Sequence, residues 1–229
     1  MTGRLADRRI VVTGASRGLG RALAEAFAAE GAAVVVTARD TARLASVLRT
    51  LGERGHGVAL ELGDVASAQR AAREAVAALG RVDVVVNSAG ILGVRGDLAT
   101  FPVDTWQEVL AVNVTGPLVF TQGILPAMAD GGVVVNVTSG ASGRATWGAY
   151  AVAKAAVDAM TRMLREELAP RGIRCVAINP GGVRTGMRAA AMPGEDPATV
   201  PHPSSVVPAF VAVAAGADPG WRVEAREWR

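Results

Sequence analysis

Tyr150 and Lys154 are the sole tyrosine and the sole lysine of a 229-residue chain, and four positions separate them. On a helix, residues i and i+4 share a face, so a phenol and an ammonium at this spacing converge on one point. A phenol titrating near 10 is a poor proton donor or acceptor at neutral pH, and a neighbouring cation that favours the phenolate lowers that value. The pair is what a tyrosine general acid/base with a lysine as its tuning charge requires, and the plain alternative is a core-packed aromatic at a helix start with a solvated surface charge, so the surrounding sequence has to decide.

Such a pair needs a scaffold, and the hydropathy pattern supplies one. Short β-branched runs (10–13, 33–38, 57–61, 82–87, 133–138 and 173–178) alternate with Ala-rich amphipathic stretches near 19–30, 41–53, 67–79, 104–129 and 149–169. This is the rhythm of repeated βαβ units around a parallel sheet, with right-handed crossovers covering both faces. Asp104 and Ser67 fit helix N-caps, and Gly31, Gly80 and Gly172 fit helix ends. A single α/β domain with a Rossmann-type, doubly wound parallel sheet is expected over residues 1–229. Six prolines between Pro180 and Pro208 interrupt the rhythm, so residues 182–204 are read as a mobile substrate lid, followed by a short helix from Ser204 and a last strand near 222–225.

The first strand runs into Thr13-Gly14-Ala15-Ser16-Arg17-Gly18-Leu19-Gly20 and then directly into a helix. Gly14, Gly18 and Gly20 allow a tight turn and a close approach of backbone to ligand, and the helix aims its N-terminal amides at a phosphate. The GxxxGxG spacing matches neither GxGxxG nor a P-loop. Where a dinucleotide fold carries an acid for the NAD ribose, at the end of strand two, this chain has Ala38 followed by Arg39. Arg17 adds a second fixed positive charge, and arginine suits a 2′-phosphate, so NADP(H) is favoured over NAD(H). Asp40 is better placed to cap the next helix. The same turn also reads as a GxSxG elbow around Ser16, and His202 follows in the order a hydrolase requires, but no oxyanion-loop motif accompanies it.

Composition narrows the classes further. The net charge is +3, the basic side chains are scattered, and aromatic content is 4%, which argues against a nucleic-acid groove. Cys175 is the one cysteine, so an internal disulfide and a multi-cysteine metal site are excluded. The N-terminal residues have no apolar core of a signal peptide and no apolar run is read as membrane-spanning, so a cytoplasmic protein is expected.

Taken in order, these segments resemble the short-chain dehydrogenase/reductase family. The resemblance rests on the glycine turn from Thr13 to Gly20, Asp64-Val65, Asn87-Ser-Ala-Gly90, Asn113, Ser139, Tyr150-x-x-x-Lys154, and Asn179-Pro-Gly181 with Val183 and Thr185. It implies an oxidoreductase that interconverts a ketone or aldehyde with its alcohol, with Asn113, Ser139, Tyr150 and Lys154 as a catalytic tetrad. Tyr150 would exchange the proton, Ser139 would hold the substrate oxygen, Lys154 would bind the nicotinamide ribose, and Asn113 would hold a relay water. Asp64 and Val65 would meet the adenine, Asn87, Ala89 and Gly90 the adenosine ribose side, and Pro180, Gly181, Val183 and Thr185 the nicotinamide. No metal is implied, and a homodimer or homotetramer is. Two departures bear on this. Ten residues lie between Ser139 and Tyr150, about two fewer than the family usually has, so Thr138 or Ser142 could share the serine's role. Ser88 replaces a second asparagine. The other class of reading is a non-catalytic NADP(H)-binding interaction protein on the same fold. Trp147, Leu92, Val94, Met187 and Met192 are candidates for an apolar substrate pocket.

Overall fold

The structure, a computed structural model, describes residues 3–228. Seven parallel strands form one sheet in the order β3-β2-β1-β4-β5-β6-β7. They are β1 (Arg9–Val12), β2 (Ala33–Ala38), β3 (Gly55–Ala59), β4 (Val82–Asn87), β5 (Met128–Val137), β6 (Arg174–Asn179) and β7 (Arg222–Glu224). The helices are α1 (Gly18–Ala29), α2 (Ala45–Leu51), α3 (Val65–Leu79), α4 (Val103–Leu110), α5 (Gly116–Ile124), α6 (Gly148–Glu167), α7 (Gly186–Ala191) and α8 (Val207–Ala215).

Both faces of the sheet are buried, which is why its strands are near-continuous runs of valine and isoleucine. Side chains alternate between faces: Ile10, Val12, Val34, Val36, Val84 and Val86 join a core with α1, α2 and α8. Val11, Val35 and Val85 point the other way, to a core with α3 and α5. The chain reverses its winding beside β1, between β2 and β4. A crevice therefore opens at the carboxyl ends of these strands, where such sheets bind ligands.

Several boundaries differ from the sequence expectation. The stretch expected as one helix over 104–129 is interrupted: α4 ends at Leu110, a π-helical turn covers Ala111–Thr115, and α5 ends at Ile124. Gly116 permits this close packing, since a Cβ there would lie 2.2 Å from the Leu62 carbonyl oxygen. Ser67 is not the N-cap of α3. Asp64 is, accepting from the amides of Ala66 and Ser67 at 3.0 and 3.3 Å. Asp104 likewise sits inside the first turn of α4, behind Pro102.

The helical runs Val103–Ala127 and Pro197–Ala215 are long and apolar enough by composition to cross a membrane, contrary to the sequence expectation. Here α5 packs on α3 and α8 on the sheet core. The expected lid is not a plain loop: it contains α7 and a bidentate Arg188–Glu195 ion pair at 2.6 Å.

Candidate active site

The crevice is a cavity of about 930 Å³ whose walls run from the glycine turn to α6 and α7. At one end, Gly14 and Gly18 adopt positive φ (70° and 59°), a region glycine enters without penalty. A Cβ on Gly14 would come within 2.7 Å of Ala89 Cα, and one on Gly20 within 2.5 Å of the Gly14 carbonyl oxygen. The turn is thus closed against β4 and against itself. Arg17 caps α1 without a side-chain hydrogen bond, which leaves first-turn amides open to the cavity. Buried Thr13 holds the facing wall, its hydroxyl accepting from the amides of Ser88 and Ala89 at 3.1 Å. Sequence reasoning gave Thr13 no task; only its place at the end of β1, facing β4, reveals one.

Arg17, Ala38 and Arg39 line this end, as do Ser16, Leu19, Ala89 and Gly90. Arg39 lies 4.0 Å from Glu61. Asp40 accepts from the Ala42 amide at 2.9 Å and pairs with Arg43 at 3.3 Å, so its carboxylate is already engaged. Arg43 is a third arginine of the wall that the sequence did not single out. Asp64 and Val65 fall outside the wall, which on that side consists of Leu60, Glu61, Leu62 and Gly63. Asn87 is buried beneath the floor and donates to Thr121 and Asn136 at 3.0 and 2.9 Å.

At the other end Ser139, Tyr150 and Lys154 meet in the cavity wall. Tyr150 and Lys154 rise from consecutive turns of α6, with the ammonium 5.7 Å from the centre of the phenol ring. Lys154 Nζ donates to the Val137 carbonyl at 2.7 Å. Burial drives the Lys154 ammonium down from 10.5 to about 8, while the nearby Asp158 carboxylate pulls the other way. Burial also raises the Tyr150 phenol, against a hydrogen bond from Ser139 that lowers it. The simple expectation of a phenol depressed by its lysine is therefore not what the protein alone provides: desolvation outweighs the other contributions.

The neighbours settle where the other hydroxyls point. Ser139 Oγ accepts from the Ala141 amide at 3.1 Å, at the start of a compact run of turns. Ser142 is turned away to Asp158, donating at 2.8 Å, whereas Thr138 Oγ1 is buried without a partner. The short connection ends at Gly148 (φ 54°), packed so tightly that a Cβ would overlap Phe101. Asn113, in the π-helical turn, grips Ile91 twice, donating to its carbonyl and accepting from its amide, each at 2.8 Å. A Cβ on the intervening Gly90 would be 3.0 Å from Asn113 Oδ1 and 4.0 Å from Lys154 Nζ, so the three groups adjoin.

Pro180, Gly181, Val183 and Thr185 also line the cavity, with Thr185 capping α7 by accepting from the Arg188 amide at 3.2 Å. Of the candidate apolar residues, Trp147 and Met187 reach it, joined by Ile91 and Ala191, while Leu92, Val94 and Met192 do not. The hydrolase alternative loses its base. No histidine is in the cavity wall among the described residues, and His202 instead caps the turn at Pro203–Val206.

The sequence profile of the short chain dehydrogenase family matches residues 8–196. The chain belongs to that family. An uncharacterized oxidoreductase of Escherichia coli K12, YciK, is 37% identical over 217 residues, covering 90% of this chain and 86% of its own. A short chain dehydrogenase from Shigella flexneri 2a, solved as a complex with NADP, superposes with a TM-score of 0.92 at 34% identity, covering 99% of this chain and 100% of that one. A 3-oxoacyl-[acyl-carrier-protein] reductase, FabG, of Vibrio harveyi is 35% identical over 195 residues, covering 83% of this chain and 79% of its own. This short chain dehydrogenase is accordingly an oxidoreductase with a single parallel seven-stranded sheet.

Proposed function

We propose that this dehydrogenase interconverts a ketone or aldehyde and its alcohol with NADP(H), using Tyr150 as the proton donor and acceptor. The observation that carries the reading is the convergence of Tyr150, Ser139 and Lys154 in one cavity whose far end is a glycine turn opening onto a free helix N-terminus. The residues fit a dinucleotide. Gly14 and Gly20 let the turn close against Ala89 and against itself, which sets its backbone at the start of α1 where a pyrophosphate would approach, and Arg17, Arg39 and Arg43 offer positive charge to a 2′-phosphate while Asp40 is engaged elsewhere. The relatives solved with NADP and NADPH support the same choice.

When bound, the nicotinamide supplies or accepts the hydride. The chain does the rest. Ser139, beside the phenol, orients the substrate oxygen, and Tyr150 delivers its hydroxyl proton there during reduction or removes one during oxidation. Lys154 donates one proton to Val137 and has two others to hold ribose hydroxyls, and its charge stabilises the phenolate left behind. The π-helical turn at Asn113 interrupts the regular backbone ladder beside Lys154, and the relay water that the family resemblance implies would sit here. Exposed Val103 on α4 and Met163 on α6 support association of two chains through these helices.

Nucleotide fluorescence during titration with NADPH and NADH tests the cofactor: much tighter NADPH binding is expected, and binding of neither overturns the reading. Tyr150→Phe is expected to lower turnover of a carbonyl substrate by about 10²–10⁴-fold with NADPH affinity retained. Unchanged turnover would remove Tyr150 from its role, and turnover absent from the parent enzyme across a carbonyl screen would favour the non-catalytic binding protein.

A further inference from the structure

One helical turn beyond Lys154, on the same face of α6, lies Asp158, a carboxylate with 7% exposure that the proton chemistry above does not use. Three elements meet on it. Its Oδ2 accepts from Ser142 Oγ, in the turns before Tyr150, at 2.8 Å and from Arg222 of β7 at 2.7 Å, while its Oδ1 is buried with no partner. Arg222 also pairs with Glu224 at 3.2 Å, and Glu224 accepts from Asn179, whose Oδ1 in turn accepts from the Gly181 amide at 2.9 Å. Arg226, two residues on, donates to the Gly182 carbonyl.

The alternation of β7 produces this arrangement. Val223 and Ala225 face the core of α1 and α8, and Arg222 and Glu224 project from the opposite face, with Glu224 in register with Asn179. Arg222 and Glu224 of β7, and Arg226 just beyond it, are thus tied to Asp158, Asn179 and Gly182 in turn. A largely buried ion pair gives little net stability over an apolar pair of similar volume, so stability alone is a poor reason for placing Asp158 and Arg222 here. The groups facing Lys154 are the Tyr150 phenol, the Val137 carbonyl and, across Gly90, the neutral Asn113 amide. Those facing Asp158 are Ser142 and Arg222, with Glu224 behind the guanidinium and buried Lys154 four residues back on the same helix face without a direct ion pair, while Arg162 on the next turn stacks on Trp221 at 5.1 Å.

We propose that Asp158, clamped between Arg222 of the C-terminal strand and Ser142 of the shortened connection, is a positioning residue that supplies the buried counter-charge keeping Lys154 an ammonium beside Tyr150. The role rests on the reading of Tyr150 and Lys154 given above. It also gives the short 140–149 connection a purpose, because the turn that brings Ser142 onto Asp158 fixes Ser139 three residues earlier.

The chain's single lysine makes the test direct. Protein labelled with ¹³C-lysine gives one Cε resonance from Lys154, whose shift reports the ammonium titration without any substrate. In the parent the midpoint is expected near 8. In Asp158→Asn it is expected to fall by about one unit, and Asp158→Glu is expected to restore it. The sign is diagnostic: simple loosening of the fold would hydrate Lys154 and raise its midpoint toward 10.5. An unchanged or raised midpoint in Asp158→Asn overturns the proposal. Should that variant not fold, Asp158→Leu/Arg222→Met leaves neither charge unpaired; a smaller fall is expected in it, because the guanidinium is lost with the carboxylate, and an unchanged or raised midpoint there overturns the proposal. Tyr150→Phe turning over like the parent would sink the catalytic reading, whereas an unmoved lysine titration would sink only this one.

Discussion

At the end proposed for the nucleotide the cavity wall is mostly backbone, with Gly14, Gly18 and Gly20 at close approach and arginines on the rim, whereas at the end proposed for catalysis it is built from buried side chains. Each of the latter is held from a different element: Lys154 by β5, Asn113 by the segment after β4, and Asp158 by β7. The first end depends on close packing and left-handed conformations that favour glycine and on charges that solvent screens. The second depends on desolvation, which shifts both Tyr150 and Lys154 away from their ordinary values. Substitutions should therefore fail in different ways at the two ends: through geometry at one, through protonation at the other.

The largest effect is expected at the catalytic end. Lys154→Met removes the ammonium and should lower turnover by about 10²–10⁴-fold. Its stability signature has a definite sign. Burial lowers the lysine from 10.5 to about 8, so between these values the unfolded chain binds more protons than the native one. The native state carries the penalty of a buried charge below pH 8 and is relieved of it as pH rises toward 10.5. Urea unfolding at pH 7 and pH 10 should show the parent gaining stability relative to Lys154→Met over that window. A change in the other direction would mean that its surroundings stabilise the ammonium more than water does.

Gly14→Val is the corresponding break at the nucleotide end. The left-handed backbone would cost about 1–3 kcal/mol, and the new side chain would collide with the Ala89 backbone. By displacing the turn that would hold the pyrophosphate, the substitution should lower NADPH affinity by about 100-fold, while the Lys154 titration stays where it is in the parent. If the lysine midpoint moved as well, the two ends would not be separable as argued. Arg39→Ala should have a smaller effect. Arg39 is exposed and weakly paired, so its loss should reduce NADPH affinity by about tenfold and less at high salt, with NADH affinity unchanged. Equal losses for both nucleotides would remove Arg39 from 2′-phosphate recognition.

The same contrast explains what could be read from the residues alone. Glycine at a turn and a run of valines in a strand act through their own backbone preferences, so the Thr13–Gly20 turn and the parallel sheet were legible. Tyr150 and Lys154 were legible too, because helical spacing alone puts them together. The partners of Asp158 were not: Arg222 lies 64 residues away, and only the register of β7 on β6 brings it there. The π-helical turn at Asn113 was hidden as well, since the apolar pattern of 103–124 continues through it and the break follows from packing at Gly116 and from the grip on Ile91.

Asp64 is the sharpest small test of the boundary between motif and structure. The resemblance gives its carboxylate to the adenine, but here both oxygens accept from amides of the first turn of α3, and the residue is outside the cavity wall. A carboxylate already holding two helix amides has less to offer an exocyclic amine, and losing such a cap costs about 1 kcal/mol. Asp64→Ala should therefore lower stability by about 1 kcal/mol in urea unfolding while NADPH affinity changes less than about twofold. Asp64→Asn, which can still cap, should recover the stability. A large loss of NADPH affinity in Asp64→Asn at parental stability would return the residue to the adenine and show that the cap and the ligand share it.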